Sequence, residues 1–171
     1  MHDSDTRVLA PRIVVCGVSG SGKTTVGVAL ARSLAVPFVD GDDLHPPDNI
    51  AKMSGGTPLS DEDRWPWLDR VGEVLDTAPS GIVVACSALR VAYRGVIRSR
   101  TASAQFVFLD AQGPVLRQRM LDRPDHFMPV SLLGTQLAAV EPLTPNENGL
   151  SLDALLPAPQ LVARITQWLG I

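Results

Sequence analysis

Gly17-Val18-Ser19-Gly20-Ser21-Gly22-Lys23-Thr24 is the stretch on which the fold turns. Before it stands Arg12-Ile13-Val14-Val15-Cys16, a short apolar run suited to a fully buried strand. After it, Val26, Leu30 and Leu34 recur at helical spacing between Thr25 and Ala35. The pattern G-x-x-x-x-G-K-[ST], set between a strand and a helix, is a P-loop. Its glycines allow turns that aim successive backbone N–H groups at phosphate oxygens, and the helix adds its positive N-terminal end. Lys23 is expected to reach the β- and γ-phosphates, and the Thr24 hydroxyl to ligate Mg2+. The expected ATP-binding set is therefore Gly17, Val18, Ser19, Gly20, Ser21, Gly22, Lys23, Thr24 and Thr25.

Outward from this loop, apolar runs alternate with helical patterns. Strands are expected at residues 36–40, 81–86, 105–109 and 150–153, besides the first. Helices are expected at residues 49–53, 89–98, 130–140 and 157–169. Ser60-Asp61-Glu62-Asp63 reads as a further helix start, with Ser60 as N-cap and acids in the first turn. Pro114 opens another helix at a position where its missing N–H does no harm. Alternation of this kind predicts an α/β fold, a five-stranded parallel sheet with helices on both faces. No repeat or linker interrupts residues 1–171, so one domain is expected, with residues 1–10 as a flexible tail.

The formal net charge of −3 gives no electrostatic reason to expect nucleic acid or an anionic membrane as partner. Cys16 and Cys86, the two cysteines, end apolar runs and read as small buried hydrophobes rather than a disulfide or zinc site. The polar, acidic opening Met1-His2-Asp3-Ser4-Asp5-Thr6 is unlike a signal peptide, and no apolar stretch reaches membrane-spanning length. The location expected by default is cytoplasmic.

A P-loop alone does not say what is done with the nucleotide. No Asn-Lys-x-Asp guanine box occurs, which argues against a GTPase switch. Met53-Ser54-Gly55-Gly56 is followed by Thr57, and reads as a glycine turn rather than a transporter signature. Asp40-Gly41-Asp42 stands at the carboxyl end of the second strand, the edge where open α/β sheets hold ligands. A kinase acting on a hydroxyl needs a carboxylate to orient it and take its proton. Ala85-Cys86-Ser87 stands where a metal-binding aspartate would end the third strand, so Mg2+ is expected on Thr24 and Asp40.

Asp40-Gly41-Asp42-Asp43-Leu44-His45-Pro46 runs on to Asn49-Ile50-Ala51-Lys52-Met53 and Gly56-Thr57-Pro58-Leu59-Ser60-Asp61-Glu62-Asp63-Arg64. With Trp65-Pro66-Trp67-Leu68, Cys86-Ser87-Ala88-Leu89-Arg90 and Tyr93-Arg94, these segments resemble the bacterial gluconokinase family, small relatives of shikimate kinases. The resemblance covers roughly residues 12–140. It implies ATP-dependent phosphorylation of D-gluconate at its 6-hydroxyl, in a homodimer. Gluconate carries its carboxylate at the end remote from that hydroxyl. Asp42 is the expected base, and Arg64 offers a planar fork matched to the carboxylate. His45, Lys52, Arg90 and Arg94 are further substrate-binding candidates, each against the competing reading of a solvated charge or a braced turn. Arg90 stands where the family more often carries lysine. Residues 122–140 resemble the family's helical lid, to which His126-Phe127 also conforms. Arg119 and Arg123, four apart and expected on one helical face, are assigned to packing over the nucleotide and to catalysis at the transferring phosphate, beside Lys23 and Asp42. The alternatives are a kinase for shikimate or a related polyol acid, and a non-catalytic nucleotide-binding module.

Overall fold

A computed structural model describes residues 9–123, 125 and 128–171. Its five strands are β1 (Arg12–Cys16), β2 (Phe38–Asp40), β3 (Ile82–Ala85), β4 (Gln105–Asp110) and β5 (Gly149–Asp153). They form one parallel sheet in the order β2-β3-β1-β4-β5. The chain crosses from β1 to one side of the sheet and later returns to the other. The carboxyl end of β1 is thus the switch point where such sheets bind ligands.

Successive strand residues face opposite ways, and the core divides accordingly. Ile13, Val15, Val83 and Val107 pack against α1 (Lys23–Leu34) and α7 (Ala158–Leu169), through Leu30, Leu161 and Ile165. Val14, Cys16, Val84 and Phe106 pack on the other face against α3 (Asp61–Asp76), α4 (Val91–Arg100) and α5 (Gly113–Leu121). Each buried Leu or Ile contributes about 1.5–3 kcal/mol. The shorter helices α2 (Pro47–Ser54) and α6 (Leu133–Ala139) stand over the carboxyl edge, where Met53 and Leu59 pack with Leu132. Among the described residues no helix is long and apolar enough to cross a membrane.

The expected elements are present, with shifted ends. β2 begins at Phe38 because the Val36 N–H is spent on Ala31 O, and Pro37 has none to give. Residues 130–132 form a 3-10 turn ahead of α6. Ser60 caps α3 as expected, and Asp63 returns a bond to the Ser60 N–H, completing a capping box. α5 ends at Leu121, so Arg119 and Arg123 do not share a helical face. His126 and Phe127 lie outside the described residues, as do residues 1–8 of the expected tail.

Candidate active site

The chain leaves β1 through a loop in which Gly20 (φ +82°) and Gly22 (φ +95°) adopt the left-handed region that side chains disfavour. Gly22 is the N-cap of α1, whose first-turn amides have no intrahelical partner. Lys23 Nζ donates to Val18 O at 3.0 Å, folding the amine back over the loop. Burial lowers the Lys23 pKa from its ordinary 10.5, and Asp42 is the strongest of the charges that oppose this. Thr24 Oγ1 donates to Asp40 Oδ2 at 3.3 Å, and Asp40 Oδ1 accepts the Asp42 N–H at 3.0 Å. Asp40 thereby ties the P-loop to the segment that carries Asp42. A pair of hard oxygens, Thr24 Oγ1 and Asp40 Oδ2, suits Mg2+, which takes one or two protein oxygens and completes its shell with phosphates and water.

Residues Gly41–Leu44 make a 3-10 turn under Asp40. Gly41 is needed there because a Cβ would collide with Ala85 O. Trp67, 3% exposed, donates from Nε1 to Gly41 O at 2.7 Å and stacks on His45 with ring centroids 3.9 Å apart. Asn49 Nδ2 faces His45 Nδ1 at 3.2 Å and donates to Asp63 O at 2.9 Å. Since an amide nitrogen only donates, His45 Nδ1 accepts and the neutral ring carries its proton on Nε2. Burial, and then the charge of Arg64, push the His45 pKa down to about 4. The Arg64 guanidinium lies 5.2 Å from the centroid of the Tyr93 ring, and that of Arg90 lies 5.9 Å from it. Tyr93 donates its hydroxyl to Asp61 at 2.6 Å, and burial followed by this bond raises its pKa.

A cleft of about 950 Å³, counted out to open solvent, brings Ser19, Gly20, Gly22, Lys23 and Thr24 together with Asp40, Asp42, His45, Arg64 and Arg123. Ser21, Thr25 and Arg119 line an adjoining groove that runs to Ala154, Leu156 and Leu161. Gly17 and Val18 lie behind the loop, where the Gly17 N–H donates to Ser87 O. Arg90 lines a shallower hollow next to Arg64 and Tyr93. Arg119 donates to Gly20 O, Ser21 O and Ala154 O, lacing α5 and the end of β5 to the P-loop.

Two expected substrate-binding residues are not brought to the cleft. Arg94 is fully buried, and its Nε lies 2.6 Å from Glu147 Oε1. Its remaining donors reach Ala88 O, Glu141 O and Pro142 O. Burial raises the Glu147 pKa, but the bonds from Arg94 and Thr144 outweigh it and the net shift is downward. Arg94 therefore holds the wall from behind, including Ala88 with its unfavourable φ of +39°. Lys52 is exposed, bonded to Asp63 at 2.8 Å, and absent from the cleft lining.

The profile of the shikimate kinase family matches residues 19–132. The thermosensitive gluconokinase of Escherichia coli K12 is 46% identical over 132 residues, which are 75% of this chain and 70% of that protein. The chain belongs to the gluconokinase family. A second family member, the gluconokinase of Gluconobacter oxydans 621H, is 46% identical over 146 residues, 82% of each chain. The crystal structure of a gluconokinase from Sinorhizobium meliloti 1021, 45% identical, superposes with a TM-score of 0.85 over 94% of this chain and 92% of that one. The protein is accordingly a P-loop kinase, and the family's fold extends through α6, β5 and α7, beyond the end of the profile match.

Trp67, Tyr93 and Gln136 also line the cleft, and the sequence reading assigned none of them to substrate or nucleotide. Trp67 is at once part of the core and a wall of the cleft. Tyr93 had one signal, its place in the Tyr93-Arg94 segment that carries the family resemblance. Gln136 on α6, which donates to Met128 Sδ and accepts from the Ser19 N–H, had none.

Proposed function

We propose that this kinase transfers the γ-phosphoryl group of ATP to the 6-hydroxyl of D-gluconate, giving 6-phospho-D-gluconate and ADP. The observation that carries the reading is the single cleft shared by Lys23, Asp42 and Arg64. The names of the relatives at 46% identity support gluconate as the acceptor.

In this reading the P-loop amides and Lys23 hold the β- and γ-phosphates. Thr24 and Asp40 hold Mg2+, which when bound neutralises charge on the phosphate oxygens. Asp42 accepts a hydrogen bond from the 6-hydroxyl. As that oxygen bonds to the γ-phosphorus, the bond to the bridging oxygen breaks and the hydroxyl proton passes to the Asp42 carboxylate. ADP leaves with the bridging oxygen. Arg123 stabilises charge on the transferring group; a single preorganised donor of this kind is worth roughly 10²–10³-fold in rate.

Arg64 takes the gluconate carboxylate with its planar fork, and Arg90 adds a second cation beside it. Neutral His45 offers an Nε2–H to a substrate hydroxyl without competing for the transferred proton. The nucleoside packs in the groove floored by Arg119, whose donors are engaged by carbonyls while its planar face remains for stacking. Residues 128–140 cover the cleft and exclude water, which would otherwise accept the phosphoryl group. ADP release from Mg-ATP, measured with gluconate, its stereoisomers, shikimate and no acceptor, tests the proposal. Release is expected to depend on gluconate; equal rates with and without it overturn the reading, and a preference for shikimate reassigns the acceptor.

A further inference from the structure

α6 brings the carboxamide of Gln136 into the P-loop. Gln136 Oε1 accepts the Ser19 N–H at 2.8 Å, and Nε2 donates to Met128 Sδ. Ser19 Oγ also donates to Met128 Sδ, so loop, α6 and the residue preceding Pro129 are closed into one ring of contacts. Ser19 is buried at 8% exposure, and its amide belongs to the turn that aims donors at phosphate. Its position within that turn is informative. Lys23 Nζ bonds to Val18 O, one residue before Ser19, and the P-loop lysine serves the β- and γ-phosphates. The Ser19 amide therefore stands at the terminal-phosphate end of the cradle, and a phosphate oxygen that takes this donor must displace the carboxamide.

We propose that Gln136 is a positioning residue for the terminal phosphate: its Oε1 holds the Ser19 N–H and yields that donor to the γ-phosphate of a triphosphate, while a diphosphate leaves the contact intact. The exchange runs in the nucleotide's favour because a charged phosphate oxygen is a stronger acceptor than a neutral carboxamide. It also couples the third phosphate to the cover of the cleft. Just beyond α6, the Glu141 N–H donates to Leu89 O at 2.8 Å and Glu141 Oε2 accepts the Val91 N–H at 3.0 Å. The carboxyl end of α6 is thereby tied to the start of α4. The proposal rests on the nucleotide half of the function proposed above and is indifferent to the acceptor.

The test compares dissociation constants for ADP and for the β,γ-imido analogue of ATP, both with Mg2+, in the wild type, Gln136→Ala and Gln136→Glu. Gln136→Ala removes the competitor and is expected to tighten the triphosphate analogue by about fivefold, the worth of one neutral hydrogen bond, with ADP little changed. Gln136→Glu keeps the shape but makes the competitor a charged acceptor, and is expected to weaken the analogue by about tenfold or more relative to ADP. A purely structural role for Gln136 would move the triphosphate-to-diphosphate ratio in the same direction in both variants, or leave it unmoved. Either result overturns the proposal. Failure of the wild type to bind either nucleotide would instead remove the nucleotide reading on which it rests.

Discussion

The phosphate side of the cleft is made from consecutive residues, 17–24, and mostly from their backbone, whereas the acceptor side collects side chains from separate elements. Asp42 and His45 come from the turn after β2, Arg64 and Trp67 from α3, and Tyr93 from α4. The first half needs only local geometry: left-handed glycines, an uncapped helix start and one lysine. The second needs contacts that hold three elements in register, such as Trp67 Nε1 on Gly41 O and Asn49 between His45 and Asp63. Asp40 bonds to both halves, through Thr24 Oγ1 and the Asp42 N–H. Two halves built so differently should fail separately when each is damaged.

Asp42→Asn is the strongest test of that separation. The substitution keeps the shape and removes the proton acceptor, so kcat is expected to fall by about 10³-fold, within the range for a lost general base. Affinity for Mg-ATP, read by titration, should change by no more than about threefold, since the P-loop amides are untouched. Asp42 is also the main charge opposing the burial of Lys23. A tenfold loss of ATP affinity in this variant would show that the phosphate half depends on the acceptor half through that pair.

Two arginines sharpen the contrast within the acceptor half. Arg94→Met leaves Glu147 buried without its partner, and breaking such a pair costs about 3–5 kcal/mol of stability in urea unfolding. Where the variant is still folded, its KM for gluconate should stay near the wild-type value. Arg64→Ala should do the reverse: little change in stability, and a KM for gluconate raised by about 10–100-fold, the worth of a hydrogen bond to a charged group. Arg94→Met that raises KM without loss of stability would return Arg94 to the substrate.

What the sequence made legible follows the same division. The strands could be read because apolar runs of β-branched residues, bounded by turns, are local signals, and Ser60 announced its N-cap, with acids behind it, within a single turn. The P-loop was legible for the same reason. Asp40-Gly41-Asp42 was legible from its place at the end of a strand, but the rest of the acceptor segment only through its family resemblance, because nothing in spacing says that Asp42 and Arg64 face one cleft. Arg90, Tyr93 and Arg94 show the limit most sharply. They lie within five residues, yet Arg90 is the extended residue before α4 and lines the hollow beside Arg64. Tyr93 and Arg94, successive in the helix, point about 100° apart, so Tyr93 faces the cleft and Arg94 turns inward to Glu147, 53 residues away. The Ser19–Gln136 bond spans 117 residues and has no local signature at all. Arg119 and Arg123 were misaligned because α5 stops at Leu121, one residue of capping before the expected face could continue.

Acidity offers the gentlest way to separate the halves, because the acceptor half contains a group with its own pH window. His45 has a folded pKa of about 4 against 6.5 for the ordinary side chain. Between these values the unfolded chain binds a proton that the folded protein refuses, so stability is lost as pH falls through this window. The Asp63 carboxylate, held down to about 2 chiefly by its bond from Lys52, loses its contribution only below 3.8. Glu147, also lowered from 4.5, loses its own below that value. The interval from pH 6.5 to 4.5 therefore belongs to His45 among these groups. At about 1.4 kcal/mol per unit, it should cost roughly 2 kcal/mol of unfolding free energy. Urea midpoints for the wild type should fall across this interval, while those of His45→Asn, which has no proton to refuse there, should fall by clearly less. Parallel slopes would mean that the ring between Trp67 and Asn49 takes up its proton without resistance, and that the acceptor wall is not held together around a neutral imidazole.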